Sequence, residues 1–372
     1  MNKIVTSTFA EAQNGIFDKH KVYLDSVKEE PHPIRIRKGI GLLAKEGVSL
    51  PFDEMMREAK EQLRIGSFID YRQNNFVNKR DIASTDNLYV TCDDPKIFIV
   101  EDELSKLLRN TALRGADFED LRLPFRTIYI KLPQNEFKVW MPGDTGELEG
   151  VYVSEDRSED GVCSWLLFVL VSKQLPNRVF LDDVLFSMPI PFENGPLEAQ
   201  VEKRIEELQT RRNLHPEEEW ANVGQFMGIF RWIVNIVLYI TSSGADLKRG
   251  WYHEKTAATM KSAKGGRKRQ IRHTLELMSS EVTWVGRNIR IDRREPTTER
   301  GSLDGERKSP TLHWVHGFWR NQAHGKGRSL RKHAWIAPFL RGEGREVVEK
   351  MYAVGPKEEP CKTPTAQEKK SS

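Results

Sequence analysis

Four of the chain's nine histidines, His313, His316, His324 and His333, fall within His313–Arg341. The stretch reads HWVHGFWRNQAHGKGRSLRKHAWIAPFLR. Imidazoles can ligate a metal or work as acid and base near neutral pH. A metal site needs convergence. Residues three apart on a strand point to opposite faces, so His313 and His316 converge only across a bulge. A metal-independent ribonuclease would use two of these histidines for proton transfer, with the basic surround holding phosphate; the spacing dictates no pair. The acid pairs Asp93-Asp94 and Asp182-Asp183 could serve a divalent cation. Adjacent strand residues face apart, however, and turn aspartates usually serve the turn. No metal or cofactor is assigned.

Recognition fits the residue types better. Trp314, Phe318, Trp319, Trp335 and Phe339 interleave with Arg320, Lys326, Arg328, Arg331, Lys332 and Arg341, and no acid interrupts them. Tryptophan, arginine and histidine suit the anchoring of a peptide or of unstacked bases. The binding surface is assigned to His313, His316, Trp319, Arg320, His324, Lys326, Arg328, Arg331 and Trp335.

Two strand-like segments, 313–320 and 331–340, carry these residues. Gly325-Lys326-Gly327 supplies the freedom for a reversal between them, which predicts a hairpin with a basic tip. The period of two puts His313, Val315, Gly317 and Trp319 on one face, and Trp314, His316, Phe318 and Arg320 on the other. Gly317 leaves open backbone beside Trp319, so Trp319 is expected nearer the functional surface and Trp314 in the core. The alternative is a core hairpin whose histidines are hydrogen-bonded packing residues.

The order His313, Gly317-Phe318-Trp319, Gly325-x-Gly327 and Trp335-Ile336-x-Pro338-Phe339 resembles the C-terminal signature of a phage and plasmid family related to a type V-A anti-CRISPR. A β-rich middle followed by an apolar helix is similar too. The resemblance implies a regulatory binding protein of a phage or mobile element. It would recognise a host polypeptide, nascent on the ribosome, and lower expression of its message rather than block the assembled nuclease. No family residue is carried over as catalytic. A ribonuclease, or an RNA-binding protein using the basic, histidine-rich C-terminal region, is the competing reading.

Net charge is only +4, but it is unevenly placed. Residues 248–345 hold 23 Lys and Arg against 9 Asp and Glu, a local +14, which leaves −10 for the remainder. An acidic body with a basic C-terminal third suits a polyanionic or acidic partner met by one end. The run KSAKGGRKRQIR (261–272) reads as a flexible loop or a helix start. Its Lys264, Arg267, Lys268, Arg269 and Arg272 are assigned to polyanion contact, with RNA the candidate; a solvated linker is the alternative. Cys92, Cys163 and Cys361 form no CxxC pair, which favours a reducing cytosol, here that of a bacterial host. No signal peptide and no run of membrane-spanning length is expected.

The fold class expected is α+β. Residues 1–75 read as helical, with Pro31-His32-Pro33 breaking the pattern. Residues 76–244 read as an antiparallel sheet with two long helices. Candidate strands are Leu88–Thr91, Ile97–Val100, Phe125–Lys131, Phe137–Met141, Gly150–Ser154, Val162–Ser172 and Val179–Phe186, with a helix over Leu104–Leu113. Helices follow over 196–213 and from Pro216 to Ser243-Gly244. The second is apolar nearly all round and is read as a buried central helix. Arg231 and Asn235 share one face of it, and are expected to satisfy buried backbone or a carboxylate. A basic connector (245–309) with a possible strand at Val282–Ile291, the hairpin motif (310–341) and a disordered tail (342–372) complete the chain.

Overall fold

The computed structural model describes residues 19–20, 29–46, 57, 60–61, 64, 89–113, 116–117, 120–134, 137–141, 144–157, 163–172, 184–191, 195–212, 216–277, 281–289 and 313–341. The expectations for Trp314's side chain, for Asp182-Asp183, for 290–308, for the tail and for most of 1–75 lie outside them. Two units are distinguished: Met1–Glu295 with His316–Phe339, and Pro296–Val315 with Leu340–Ser372.

The larger unit is built on one mixed sheet. Its strands are β1 (Lys96–Val100), β3 (Thr127–Lys131), β4 (Lys138–Met141), β5 (Asp144–Arg157), β6 (Cys163–Ser172), β7 (Val184–Pro191), β8 (Leu247–Trp251) and β9 (Glu281–Val285). The order is β7-β6-β5-β3-β1-β9-β8, with β4 paired to β5. The expected antiparallel meander is corrected at β1, which runs parallel to both β3 and β9. Helix α2 (Asp102–Arg109) lies in the crossover from β1 to β3, as a parallel pair requires. Ile97 to Val100 are buried without alternation, the pattern of a strand covered on both faces.

Period two divides the central strands. Ile128, Ile130, Val151, Val153, Leu166, Phe168 and Leu170 face a core shared with α2 and with α4 (Pro216–Thr241). Phe230 meets Phe168 edge-on at 5.3 Å, and Trp232 meets Phe137 at 4.8 Å. The 26-residue α4 keeps the span expected of it, and Trp232 to Ile240 are buried throughout. Among the described residues no helix is long and apolar enough to cross a membrane. Arg231 leaves α4 on its exposed side and pairs with Glu198 and Glu202 of α3 (Leu197–Arg212).

Three further expectations are corrected. Tyr89–Cys92 is helical rather than a strand. Pro31-His32-Pro33 opens a helix, α1 (His32–Lys45), instead of breaking one; proline is favoured in the first turn, where its missing N–H has no partner to lose. The basic connector is ordered over 247–277 and 281–289. Strands β8 and β9 extend the main sheet, and α5 (Glu254–Ser262) and α6 (Gly265–Leu277) lie between them.

A second, three-stranded sheet has the order β12-β11-β2, from β2 (Thr111–Ala112), β11 (Gly317–His324) and β12 (Leu330–Ile336). Strands β11 and β12 are the expected hairpin, in continuous register from Phe318↔Ile336 to His324↔Leu330. Strand β10 (His313–Val315) pairs with β13 (Phe339–Arg341), whose Leu340 and Arg341 belong with β10 to the smaller unit.

Asn235 ties α4 to the end of α2 and to the second sheet. Its Nδ2 donates to the carbonyls of Thr111 at 2.9 Å and Leu108 at 3.3 Å, and its Oδ1 accepts from the indole N–H of Trp319 at 2.7 Å. The expected backbone role is met, with a third partner that spacing did not reveal. Removing this side chain strands three buried polar groups, so Asn235→Ala is expected to lose about 2–4 kcal/mol. Trp319→Ala, which also opens a cavity, should lose about 3–5 kcal/mol. Urea titration followed by circular dichroism measures both. Midpoints unchanged from the parent protein would show that the contact does not hold the hairpin.

Candidate interaction surface

The hairpin's faces differ sharply. Gly317 and Trp319 are buried; His316, Phe318 and Arg320 are exposed. The alternation is the expected one, but Trp319 is only 4% exposed and belongs to the core rather than to a functional surface. The open backbone at Gly317 is used by β2: Gly317 N–H donates to Asn110 O at 3.1 Å, and a Cβ there would lie 2.5 Å from Thr111 Oγ1. Close approach of another strand, rather than of a ligand, explains that glycine.

Trp335 is half-buried on the same inner side. Its indole N–H donates to Thr111 Oγ1 at 3.2 Å, and Tyr239 meets its ring edge-on at 5.2 Å. His333 also turns inward, with Nδ1 3.2 Å from Asp120 Oδ1 and its ring 5.8 Å from Trp319. Trp319 is therefore a core anchor rather than a ligand-facing residue, and Trp335 and His333 pack beside it. His316 and His333 lie on opposite faces. His316 and His324 lie roughly 26 Å apart along the strand. Neither pair forms an acid–base couple. His313 is on β10, and its side chain lies outside the described residues. Among the described residues no group of three His, Cys, Asp or Glu could hold a metal ion.

What remains exposed is His316, Phe318, Arg320, Lys326, Arg328, Leu330, Arg331 and Lys332, with His324 half-covered. Phe318 and Leu330 are 36% and 56% exposed, high for large apolar side chains. The tip turns through Gly325 (φ 80), Gly327 (φ 68) and Arg328 (φ 56), closed by Arg328 N–H on Gly325 O at 3.1 Å. Arginine is unusual in that left-handed region. The five cations assigned to polyanion contact, Lys264, Arg267, Lys268, Arg269 and Arg272, are all exposed; Lys264 precedes α6 and the others lie on it. The loop alternative for that run is corrected to helix.

The sheet's other face carries a buried polar cluster that sequence reading missed. A bulge between Leu148 and Gly150 of β5 turns Glu149 away from the apolar core. Its Oε1 accepts from Tyr129 OH at 2.9 Å and from the His32 backbone N–H at 2.9 Å, and its Oε2 accepts from Arg35 at 2.6 Å. Tyr152 OH and His32 Nδ1 share a 2.8 Å hydrogen bond. Gly150 leaves room for the Tyr129 hydroxyl, which would lie 2.4 Å from any Cβ. The signal available in the sequence was Glu149-Gly150 directly before the apolar run Val151–Val153. Lys38 donates to Glu30 Oε1 at 2.6 Å, and His253 Nε2 lies 3.1 Å from the same oxygen.

Burial, then the Arg35 charge, hold the His32 imidazole well below its ordinary pKa, so it is neutral in the fold. Burial, then Glu149, raise the Tyr129 phenol well above its ordinary value. Burial pushes the Cys92 thiol up to about 12, so it is no ready nucleophile.

Exposed apolar side chains beside cations, on a strand pair fixed from behind, have the composition that interaction surfaces use. The chain belongs to the anti-CRISPR type V subtype A2 family, the AcrVA2-like family, which matches residues 98–342. It is an anti-CRISPR-like phage protein. Among solved structures it is similar to the crystal structure of AcrVA2, with 13% identity, coverage of 89% of this chain and 98% of that chain, and a TM-score of 0.38. No curated protein matches it.

Neutral His32 makes stability depend on pH with a definite sign. The unfolded chain takes up a proton near pH 6.5 and the folded chain resists it. Stability from this group is fully present above about pH 6.5 and falls as pH drops, by at most about 1.4 kcal/mol per pH unit. Denaturant titrations of the parent and of His32→Gln at a series of pH values test this. The acidic limb should flatten in the variant, and parallel limbs would remove His32 as its source.

Proposed function

We propose that this protein is a regulatory binding factor that recognises a host polypeptide, nascent on the ribosome, in the host cytoplasm and lowers expression of the corresponding message. Family membership supports the anti-defence role. One observation supports polypeptide recognition in particular: Phe318 and Leu330 stand exposed on the outer hairpin face with Arg320 and Lys332, next to the tip cations Lys326 and Arg328. Apolar contacts set in a cationic rim suit an acidic segment with apolar side chains. Their anchoring from behind leaves little ordering for binding to impose. The ribonuclease reading gains nothing from the histidine placement described above.

Mass spectrometry of material co-purifying from host cells, with and without ribonuclease, tests the reading. Ribosomal proteins together with one enriched nascent chain are expected. RNA shortened by the purified protein alone would replace binding with catalysis. A second test separates recognition from folding. Glycine suits the left-handed backbone at 328, and both tip residues are exposed, so Lys326→Ala with Arg328→Gly should change stability by no more than about 0.5 kcal/mol. Repression in a target-expression assay should weaken. A large fall in melting temperature would make the tip structural.

A further inference from the structure

Helices α5 and α6 form an arm. They are joined by Ala263 and Lys264 alone, and they connect β8 to β9 at the edge of the main sheet. Nearly all of α6 is solvent-facing. Leu275 is buried and Ile271 half-covered; residues 264–270 and 272–274 are exposed. Ile271 and Leu275, four apart, are the stripe that docks the helix. Arg267, Lys268, Arg269 and Arg272 spread around the rest.

This arrangement works against the helix that carries it. Arg267, Lys268 and Arg269 occupy its first turns, where the macrodipole favours anions, and no acid stands in the first turn. Lys264, Lys268 and Arg272 follow at four-residue steps, which places like charges together. None of the five cations has an ion-pair partner among the described residues. The acid at the start of α5, Glu254, is engaged by Arg287. Charges that break a local rule with no compensating acid among the described residues point to selection for something other than stability.

The chemistry of the missing partner follows from what the arm lacks. Residues 254–277 contain no phenylalanine, tyrosine or tryptophan. A protein interface needs apolar or aromatic anchors at its centre, and unstacked bases need rings to stack on. A phosphodiester backbone needs only fixed positive charge. We infer that the α5–α6 arm is a nucleic-acid docking element that holds the phosphate backbone of a duplex through Lys264, Arg267, Lys268, Arg269 and Arg272, without reading sequence. Lys248 and Arg249, exposed on the adjoining edge strand β8, continue the positive surface. The inference does not depend on polypeptide recognition by the hairpin.

The test uses the full chain and defined duplexes of about 20 base pairs, long enough for a groove-spanning contact. Affinity is measured against salt for an RNA duplex, a DNA duplex of the same sequence, and both with scrambled sequence. Arg267→Ala, Lys268→Ala, Arg269→Ala and Arg272→Ala are combined. Alanine is the best helix former, so far-UV circular dichroism should keep its helical signal. The slope of log affinity against log salt should fall by about three, at roughly 0.7–0.9 per lost phosphate contact. Replacing the three arginines by lysine should restore it, and scrambling should change nothing. RNA and DNA arms show which polymer is preferred. An unchanged slope with the helix intact overturns the inference. So does ribonuclease- and deoxyribonuclease-resistant capture of an acidic protein that the same alanines abolish.

Discussion

The carboxamide of Asn235 is the constraint on which the arrangement of the hairpin depends. It sits in the most apolar part of α4, where an unpaired amide would be strongly destabilising. Its donor side is taken by the end of α2 and by β2, its acceptor side by Trp319. Helix, crossover and hairpin are thereby fixed relative to one another by one planar group. Replacing the group by a hydrocarbon would leave the Trp319 indole N–H and two carbonyls facing a dry core. The hydrophobic contacts around it are larger in sum but undirected, and would tolerate the hairpin shifted or rotated.

The same logic operates on the opposite face of the main sheet with charge in place of an amide. Glu149 reaches that face only because a bulge inserts one residue into β5. Once there, it is held by a phenol, a guanidinium and the backbone N–H of the first residue of α1. A carboxylate at a helix N-terminus is favoured by the helix dipole as well as by the hydrogen bond. A buried ion pair of this kind contributes less to net stability than its geometry suggests, since both charges leave water. What it does secure is register: only one docking of α1 on the sheet satisfies Glu149.

Elements with a strong local signature were legible in the sequence. The periodicity of α3, the proline start and apolar length of α4, the turn glycines of the hairpin and the apolar run of β6 were each sufficient. Parallel pairing was not, because β1 and β9 are separated by nearly half the chain and nothing local records their contact. For α6 a loop and a helix start both stood open, because its cations gave the run the composition of a linker as well. Trp319 shows the same limit at the surface. Alternation correctly separated it from His316 and Phe318, yet the buried face was decided by Asn235, a long-range partner that no spacing within the hairpin contains. The cations and Phe318 were identifiable from composition; Glu149 and Asp120 became relevant only through tertiary contacts.

Burial of the ring-bearing face changes the meaning of the charged one. A hairpin that exposed its indoles as well as Phe318 would be a flexible adhesive surface, prone to pair with any exposed edge. Here Trp319, Trp335 and His333 are all committed inward, to Asn235, Thr111 and Asp120. That leaves the outer side with two exposed apolar residues and a preponderance of cations. Mutual repulsion between Arg320 and Lys332 opposes self-association and keeps the edge strand β12 from recruiting a second copy. The same charges select for a partner of opposite sign and speed its encounter. The inward aromatics thus supply the rigidity and the outward cations the discrimination, and the strand period of two delivers both from one short stretch of sequence.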